Sequence, residues 1–357
     1  MSRFTKCLMV PAGLALLAGA SAHAQYTLEV LPDYFFGPGS MAAEISNTND
    51  VVGSVNSGFN FEASLWRNGQ ITLVAPGVGG AATGVSDTGL VVGNLDLGDS
   101  ETSGLTPFLW NNGQLDFIFD GLDFSLASGV SDAGLVSGTV NGQAAIWSSA
   151  GGTQILTFAG ASDGFGNGNA VSANGIVVGA AVTADSGFNT HAFRYDQSGA
   201  MLDLGTLGGA FSEALGVNDS GDVVGFSSRG DGTDAGFLYR DGQMIDLGLF
   251  DGEFSGRAVA INNNGQIVGQ DGGGFFSNAI AWIWEDGQKT ALADLVAVDP
   301  GFEIVEVFDI NDDGDILVNI REISTFTTFG AVLRVPAPGA GVLGLGAMAL
   351  GALRRRR

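Results

Sequence analysis

The stretch EALGVNDSGDVVGFSSRGDGTDAGFLYRDGQMIDLG, Glu213–Gly248, reads as two hairpins in succession. Val217 ends a first apolar run, Asn218 opens a turn, and Gly221 stands where the chain needs positive φ. Val223-Val224-Gly225 then starts the return strand. Asn218 is expected to bond the backbone two residues further on. In the second hairpin Gly236-Phe237-Leu238-Tyr239 runs to Asp241-Gly242, and Met244-Ile245-Asp246-Leu247 runs away from it. Asp-Gly between apolar runs is among the strongest short hairpin signals.

The same unit recurs. ISNTNDVVG at 45–53, VSDTGLVVG at 85–93, VSDAGLVSG at 130–138 and VSANGIVVG at 171–179 precede it. INNNGQIVG at 261–269 and INDDGDILV at 310–318 follow. Seven copies at a spacing of roughly 40–50 residues mark a repeat array. In the first copy Asp50 replaces the turn Gly, which implies an altered turn there. Each copy is followed by a strand that ends on an aromatic residue: Trp66, Trp110, Trp147, Tyr195, Tyr239 and Trp284. The seventh ends instead at Arg334. Each unit is therefore four short strands. The middle two are apolar on both faces, as in small sheets covered on both sides.

These features point to an all-β repeat protein, a seven-bladed β-propeller of four-stranded blades spanning 25–334. The seventh unit reaches Val335-Pro336 without a fourth strand, while Tyr26–Leu31 is a spare strand at the other end. The spare strand is expected to complete the last blade and leave no open edge. An open solenoid is the alternative.

Gly accounts for 58 of 357 residues, in line with many tight turns, and there is no collagen period. All 38 acidic residues lie between the two chain ends, against 8 of the 14 basic ones. Such a surface excludes nucleic acid as a partner and favours cations. The single Cys, Cys7, and one of the two His, His23, fall in the first 24 residues. A mature chain without Cys and with only His191 has no thiol nucleophile, disulfide or Cys-ligated metal.

The ends read as addresses. Met1–Ala24 carries Arg3 and Lys6, an apolar run, and Ala22-His23-Ala24, so cleavage is expected before Gln25. Residues 335–357 hold Val335-Pro336-Ala337-Pro338, fifteen small and apolar residues (Gly339–Leu353), and Arg354, Arg355, Arg356 and Arg357. The fifteen would reach about 22 Å as helix, short of a ~30 Å bilayer core, with the arginines cytoplasmic.

This C-terminal segment resembles the PEP-CTERM sorting signal, with Ala337 in place of the usual Glu. The resemblance implies processing by an exosortase-type enzyme and transient inner-membrane anchoring. A retained anchor would export the protein equally well. His191–Ser227, HAFRYDQSGAMLDLGTLGGAFSEALGVNDSGDVVGFS, resembles the HAF-repeat family of probable extracellular bacterial proteins. That resemblance implies a repeat structure and an extracellular location, and no particular chemistry.

Few residues stand out as a site. Asp309, Asn311 and Asp313 match the first half of an oxygen-ligand calcium loop, but Ile320 stands where such a loop needs Glu. His191 occupies a repeat position, and Arg229-Gly230-Asp231 lies in an acidic loop; both read as scaffold or chance. No catalytic or cofactor-binding residues emerge. The expected role is an exported, cell-surface or matrix module whose partners include extracellular polysaccharide or cations. It touches a membrane only through the C-terminal segment. The alternative is a secreted polysaccharide-active enzyme with carboxylates in the central channel.

Overall fold

The structure, a computed structural model, describes residues 26–32, 41–58, 60–98, 104–119, 124–159, 161, 164–184, 189–196, 199–272 and 279–336. The expected cleavage site (Ala22, Ala24, Gln25), Pro338 and the four terminal arginines lie outside them. The strands form seven four-stranded antiparallel sheets. Blade 1 consists of Met41–Ile45, Val51–Asn56, Phe61–Arg67 and Gln70–Leu73, running in sequence from the axis outward. Blades 2 to 6 repeat this order. The chain is a seven-bladed β-propeller, with one three-residue 3-10 turn at Leu292–Asp294.

The seventh blade is built from both ends of the chain. Phe302–Ile310, Ile316–Glu322 and Thr328–Arg334 form its first three strands, and Thr27–Val30 pairs with Thr328–Arg334 as the fourth. Leu31 N–H extends the ladder to the Gly330 carbonyl. The spare N-terminal strand thus closes the ring, and the open solenoid is excluded.

There is no central core. Seven hydrophobic clusters each fill one blade–blade interface. Val52, Leu65, Leu95 and Phe108 join blades 1 and 2. Val178, Val223 and Phe237 join blades 4 and 5. Leu317 and Val332 meet Ile45 and Trp66 where blade 7 meets blade 1. This is why the middle strands are apolar on both sides.

All seven first turns share one geometry. The residue at the Asn218 position accepts the backbone N–H four residues on. Asp50 N–H goes to Ser46 Oγ at 3.1 Å, and Asp222 N–H to Asn218 Oδ1 at 3.0 Å. The other five turns do the same at 2.9–3.2 Å. The common reach is four residues rather than the two expected, although Asn262 also accepts Asn264 N–H, two residues on, at 3.1 Å. Each turn carries one residue in the left-handed region. That residue is Gly89, Gly134, Gly175, Gly221, Gly265 and Gly314 in six blades, and Asn49 in blade 1. The exception in the first copy is therefore Asn49, not Asp50. Asn tolerates φ of 65° through its local polar side chain, so this turn keeps the common form. In the second hairpins, Asn68-Gly69, Asn112-Gly113, Asp241-Gly242 and Asp286-Gly287 all have positive φ, the two-residue turn that suits strand twist.

The Gly of Val-Val-Gly has a different cause. Each inner strand is bulged at one matching place, between Ala42 and Glu44 in blade 1 and between Ala214 and Gly216 in blade 5. The bulge pushes a carbonyl at the neighbouring strand. A Cβ on Gly225 would lie 1.9 Å from the Glu213 carbonyl oxygen, and one on Gly179 1.9 Å from that of Asn167. Blade 7 has Val318 at this position, and its inner strand carries a second irregularity between Ile304 and Glu306.

Gly225→Ala is expected to cost about 2–4 kcal/mol through forced backbone displacement. Gly242→Ala, with positive φ but nothing near its Cβ, is expected to cost about 1 kcal/mol. Urea titration of the two variants checks the ranking. Deleting residues 26–31 should lower the melting temperature sharply; an unchanged value would contradict closure by this strand.

Candidate functional site in the central channel

Antiparallel alternation sorts the connections onto two faces of the ring. The turn face carries the Ser/Asn turns and the third-to-fourth-strand turns, which are two residues long in blades 1, 2, 5 and 6, three in blade 3 and five in blade 4. The opposite, loop face carries the connections between second and third strands and those between blades. On the loop face the second-to-third connections range from two residues, between Val140 and Gln143, to nine, between Asp96 and Thr106. Large exposed apolar side chains gather there as well. Phe124, Phe165, Phe254 and Phe326 are 65–77% exposed, and Phe61, Met41, Leu97, Leu105 and Ile323 join them. Val335 is the one such side chain found on the turn face among the described residues.

The channel has two mouths. At the turn face a funnel of about 150 Å³ is lined by the turn residues of every blade. Neighbouring turns are hydrogen-bonded to one another. Asn47 N–H donates to Asp87 at 2.7 Å, Asp219 N–H to Asn263 at 2.9 Å, Asn263 N–H to Asp312 at 2.8 Å, and Asp312 N–H to Asn47 at 2.7 Å. Thr88 N–H to Asp132 and Asn174 N–H to Asp219 continue the circle. It is interrupted where Ala173 offers no side-chain acceptor.

At the loop face a wider funnel of about 420 Å³ opens. Its wall contains the bulged residue of each inner strand: Ala43, Thr83, Ser128, Asn169, Leu215, Val259 and Phe308. The bulge that requires the Val-Val-Gly glycine thus also shapes the funnel. Arg257 and Glu306, on the neighbouring blades 6 and 7, pair on its wall at 3.5 Å, both partly exposed.

Between the funnels, five blades present Gly84, Gly129, Ala170, Gly216 and Ala260, and two present Glu44 and Asp309. Both acids border both funnels. Each reaches to the next blade in the same way. Asp309 Oδ2 accepts Ile45 N–H at 2.9 Å, and Glu44 Oε2 accepts Val85 N–H at 3.0 Å. Asp309 Oδ1 also accepts Ile310 N–H at 2.8 Å. The two side chains keep some access to the channel but lie deep within the ring. Burial, then the neighbouring Asp309, pushes the Glu44 carboxyl well above its usual range, with Asp87 adding to it against the pull of the Val85 bond. Burial pushes Asp309 up to about 7, against the two amide bonds.

Glu44 and Asp309 are 265 positions apart in sequence and lie on opposite sides of the ring-closing seam. Nothing local in the sequence pairs them. A repeat alignment shows the signal afterwards, as two acids in a column otherwise Gly or Ala.

The calcium-loop residues do not converge. Asp309 points into the channel. Asn311 donates to the Ser46 carbonyl and to Asn49, and Asp313 is exposed. Among the described residues no group of three or more His, Cys, Asp or Glu is arranged to hold a metal ion. His191 lies away from the channel, with Nδ1 3.0 Å from the Asp203 carboxylate. Arg229 is bound by Asp246, and hydrogen bonds from Thr233 hold the Asp231 carboxyl below its usual range. Within Ser227–Asp234 only Gly230–Thr233 lie outside strands, and Ser227 and Ser228 are buried. Lys289, alone among lysines after Lys6, is committed to structure: its ammonium meets the buried Asp271 at 2.6 Å and sits 4.2 Å from the Trp282 ring.

No family model matches this chain, and no curated protein does. Several solved structures are similar. XC5397 from Xanthomonas campestris, a gluconolactonase, is 12% identical with a TM-score of 0.41, over 71% of this chain and 86% of that one. TolB from Acinetobacter baumannii is 15% identical with a TM-score of 0.43, over 87% and 96%. A chain of the mitotic checkpoint complex is 13% identical with a TM-score of 0.49, over 93% and 100%. None of these bears on activity; the fold stands on the strand pairing above.

Glu44 and Asp309 keep their protons in the folded chain at pH values where the unfolded chain has lost them. Their contribution to stability is complete below about pH 4 and fades as pH rises through about 7. The variant with Glu44→Gln and Asp309→Asn should therefore gain stability relative to wild type between pH 4 and 8. Denaturant midpoints across that range check it, and a constant difference would place the pair in ordinary solvent.

Proposed function

We propose that the protein is an exported binding module of the cell surface or extracellular matrix that takes its ligand on the loop face. The observation carrying this reading is the division of the ring into two unlike faces. Seven first turns of one geometry and second turns of two to five residues occupy one face, while connections of up to nine residues, exposed phenylalanines and the wider funnel occupy the other. Loops on a rigid scaffold are where binding residues concentrate. Exposed apolar side chains gathered on one face mark interaction surfaces. The strong negative charge favours neutral or cationic polymers over anionic ones, and a neutral or amine-bearing polysaccharide is the ligand class that fits. The export and sorting segments read from the sequence support the location, with an exosortase-type enzyme as processing partner.

A second reading, a secreted polysaccharide-active enzyme, is favoured by Glu44 and Asp309 alone. An acid held protonated near neutral pH beside a second carboxyl is the equipment of general acid catalysis.

A glycan and cation binding screen on the fragment 25–336 tests both. Replacing Phe124 and Phe254 with Ser should weaken glycan binding about tenfold, given the ~0.5–1.5 kcal/mol expected per lost aromatic contact. Glu44→Gln should leave binding intact under the first reading and abolish turnover under the second. Binding unaffected by the Phe changes would remove the loop face as the ligand surface.

A further inference from the structure

The two ends of the described chain leave the ring side by side. Thr27 begins the outer strand of blade 7 and is paired with Arg334, the end of its third strand. In blades 1, 2, 5 and 6 that same place is a two-residue hairpin turn on the turn face. The ring is therefore nicked on the turn face, and the C-terminal segment departs from there.

The exit is pinned. Arg334 bonds to Glu29 at 2.8 Å, to Asp315 at 2.7 Å and to Asn49. Val335 N–H donates to Asp315 Oδ1 at 2.8 Å. Only residues 336–338 then separate the ring from the apolar run Gly339–Leu353. Three extended residues reach about 10 Å. The third strand of blade 7, seven residues long, spans about 23 Å from face to face. A tether that short cannot pass around the blade.

We propose that the membrane-tethered form stands with its turn face toward the bilayer and presents the loop face, with its wide funnel, to the outside. This rests on the export and anchoring reading given above. The phenylalanines of the loop face are then unable to reach the bilayer and stay available to an external polymer. The turn face does not adhere, since Asp87, Asp132, Asp219 and Asp312 ring its mouth and anionic headgroups repel them. Orientation comes from the length of the tether, so cutting the tether frees the ring.

The natural chain makes a clean test. Cys7, its one cysteine, lies in the segment expected to be removed, so introduced thiols stand alone. Phe254→Cys places a thiol on the loop face and Gln243→Cys one on the turn face, both at exposed positions. Full-length variants are expressed in cells without the processing enzyme, and retention of Arg354–Arg357 is verified by mass. They are treated with a bulky, membrane-impermeant maleimide polymer. The expected result is several-fold faster labelling of Phe254→Cys than of Gln243→Cys on cells, and equal rates on the free fragment 25–336. A long Gly/Ser insertion after Pro336 should erase the difference. Equal rates on cells, faster labelling of Gln243→Cys, or a difference that survives the insertion would overturn the orientation. Labelling of neither thiol until the cells are broken would instead sink the export reading, and this proposal with it.

Discussion

Everything in this ring depends on one seam. Six of the seven blade interfaces are made by consecutive stretches of chain and form as the chain folds locally. The seventh needs residues about 300 positions apart to meet. Thr27–Val30 must find Ala331–Arg334, and the cluster of Leu317, Val332, Ile45 and Trp66 must close between blades 7 and 1. The seam is reinforced at three levels. Strand pairing joins the outer part, Asn311 and Asp312 bond to the first turn at the turn face, and Asp309 bonds to Ile45 at the axis. Without it, two hydrophobic blade faces and a sheet edge would stand in water.

The architecture was legible because its determinants are local and repeated. The Ser or Asn that accepts an amide, the left-handed residue three places later and the Asn-Gly or Asp-Gly hairpins recur at fixed offsets. Even the closing strand could be read, as a blade lacking its fourth strand and a strand lacking its blade. Errors arose where one residue's neighbourhood mattered. In sequence Asp50 reads as the turn exception, whereas Asn49, one place earlier, fills the left-handed position as Gly does elsewhere. The need for the Val-Val-Gly glycine is invisible in sequence, since the clash it avoids involves the carbonyl of another strand.

The channel acids were not legible, for a plain physical reason. A pair formed across the seam has no sequence spacing, and each member alone looks like turn or strand punctuation. In the sequence Asp309 stands close to Asn311 and Asp313. Those two follow it in the chain, but they belong to the turn beyond Ile310, where the strand of Asp309 ends. Its companion is Glu44. The same holds for Lys289 and Asp271, whose ion pair is buried under Phe250 and Trp282. Repeat symmetry makes the scaffold readable, and departures from that symmetry locate what is particular to this chain.

The nick in blade 7 has a mechanical side. The N-terminal strand takes the outermost place, so the strand that carries the C-terminal segment is held on both edges, by Ile316–Glu322 and by Thr27–Val30. Had the last strand been the outer one, tension on the tail would have opened a single ladder from a free edge. As built, a pull on the tail acts along the axis of an internal strand. It loads two ladders together in shear, with the Arg334 ion pairs at the point where force enters. The order in which the two ends share the last blade thus places the strand that takes the pull inside the sheet.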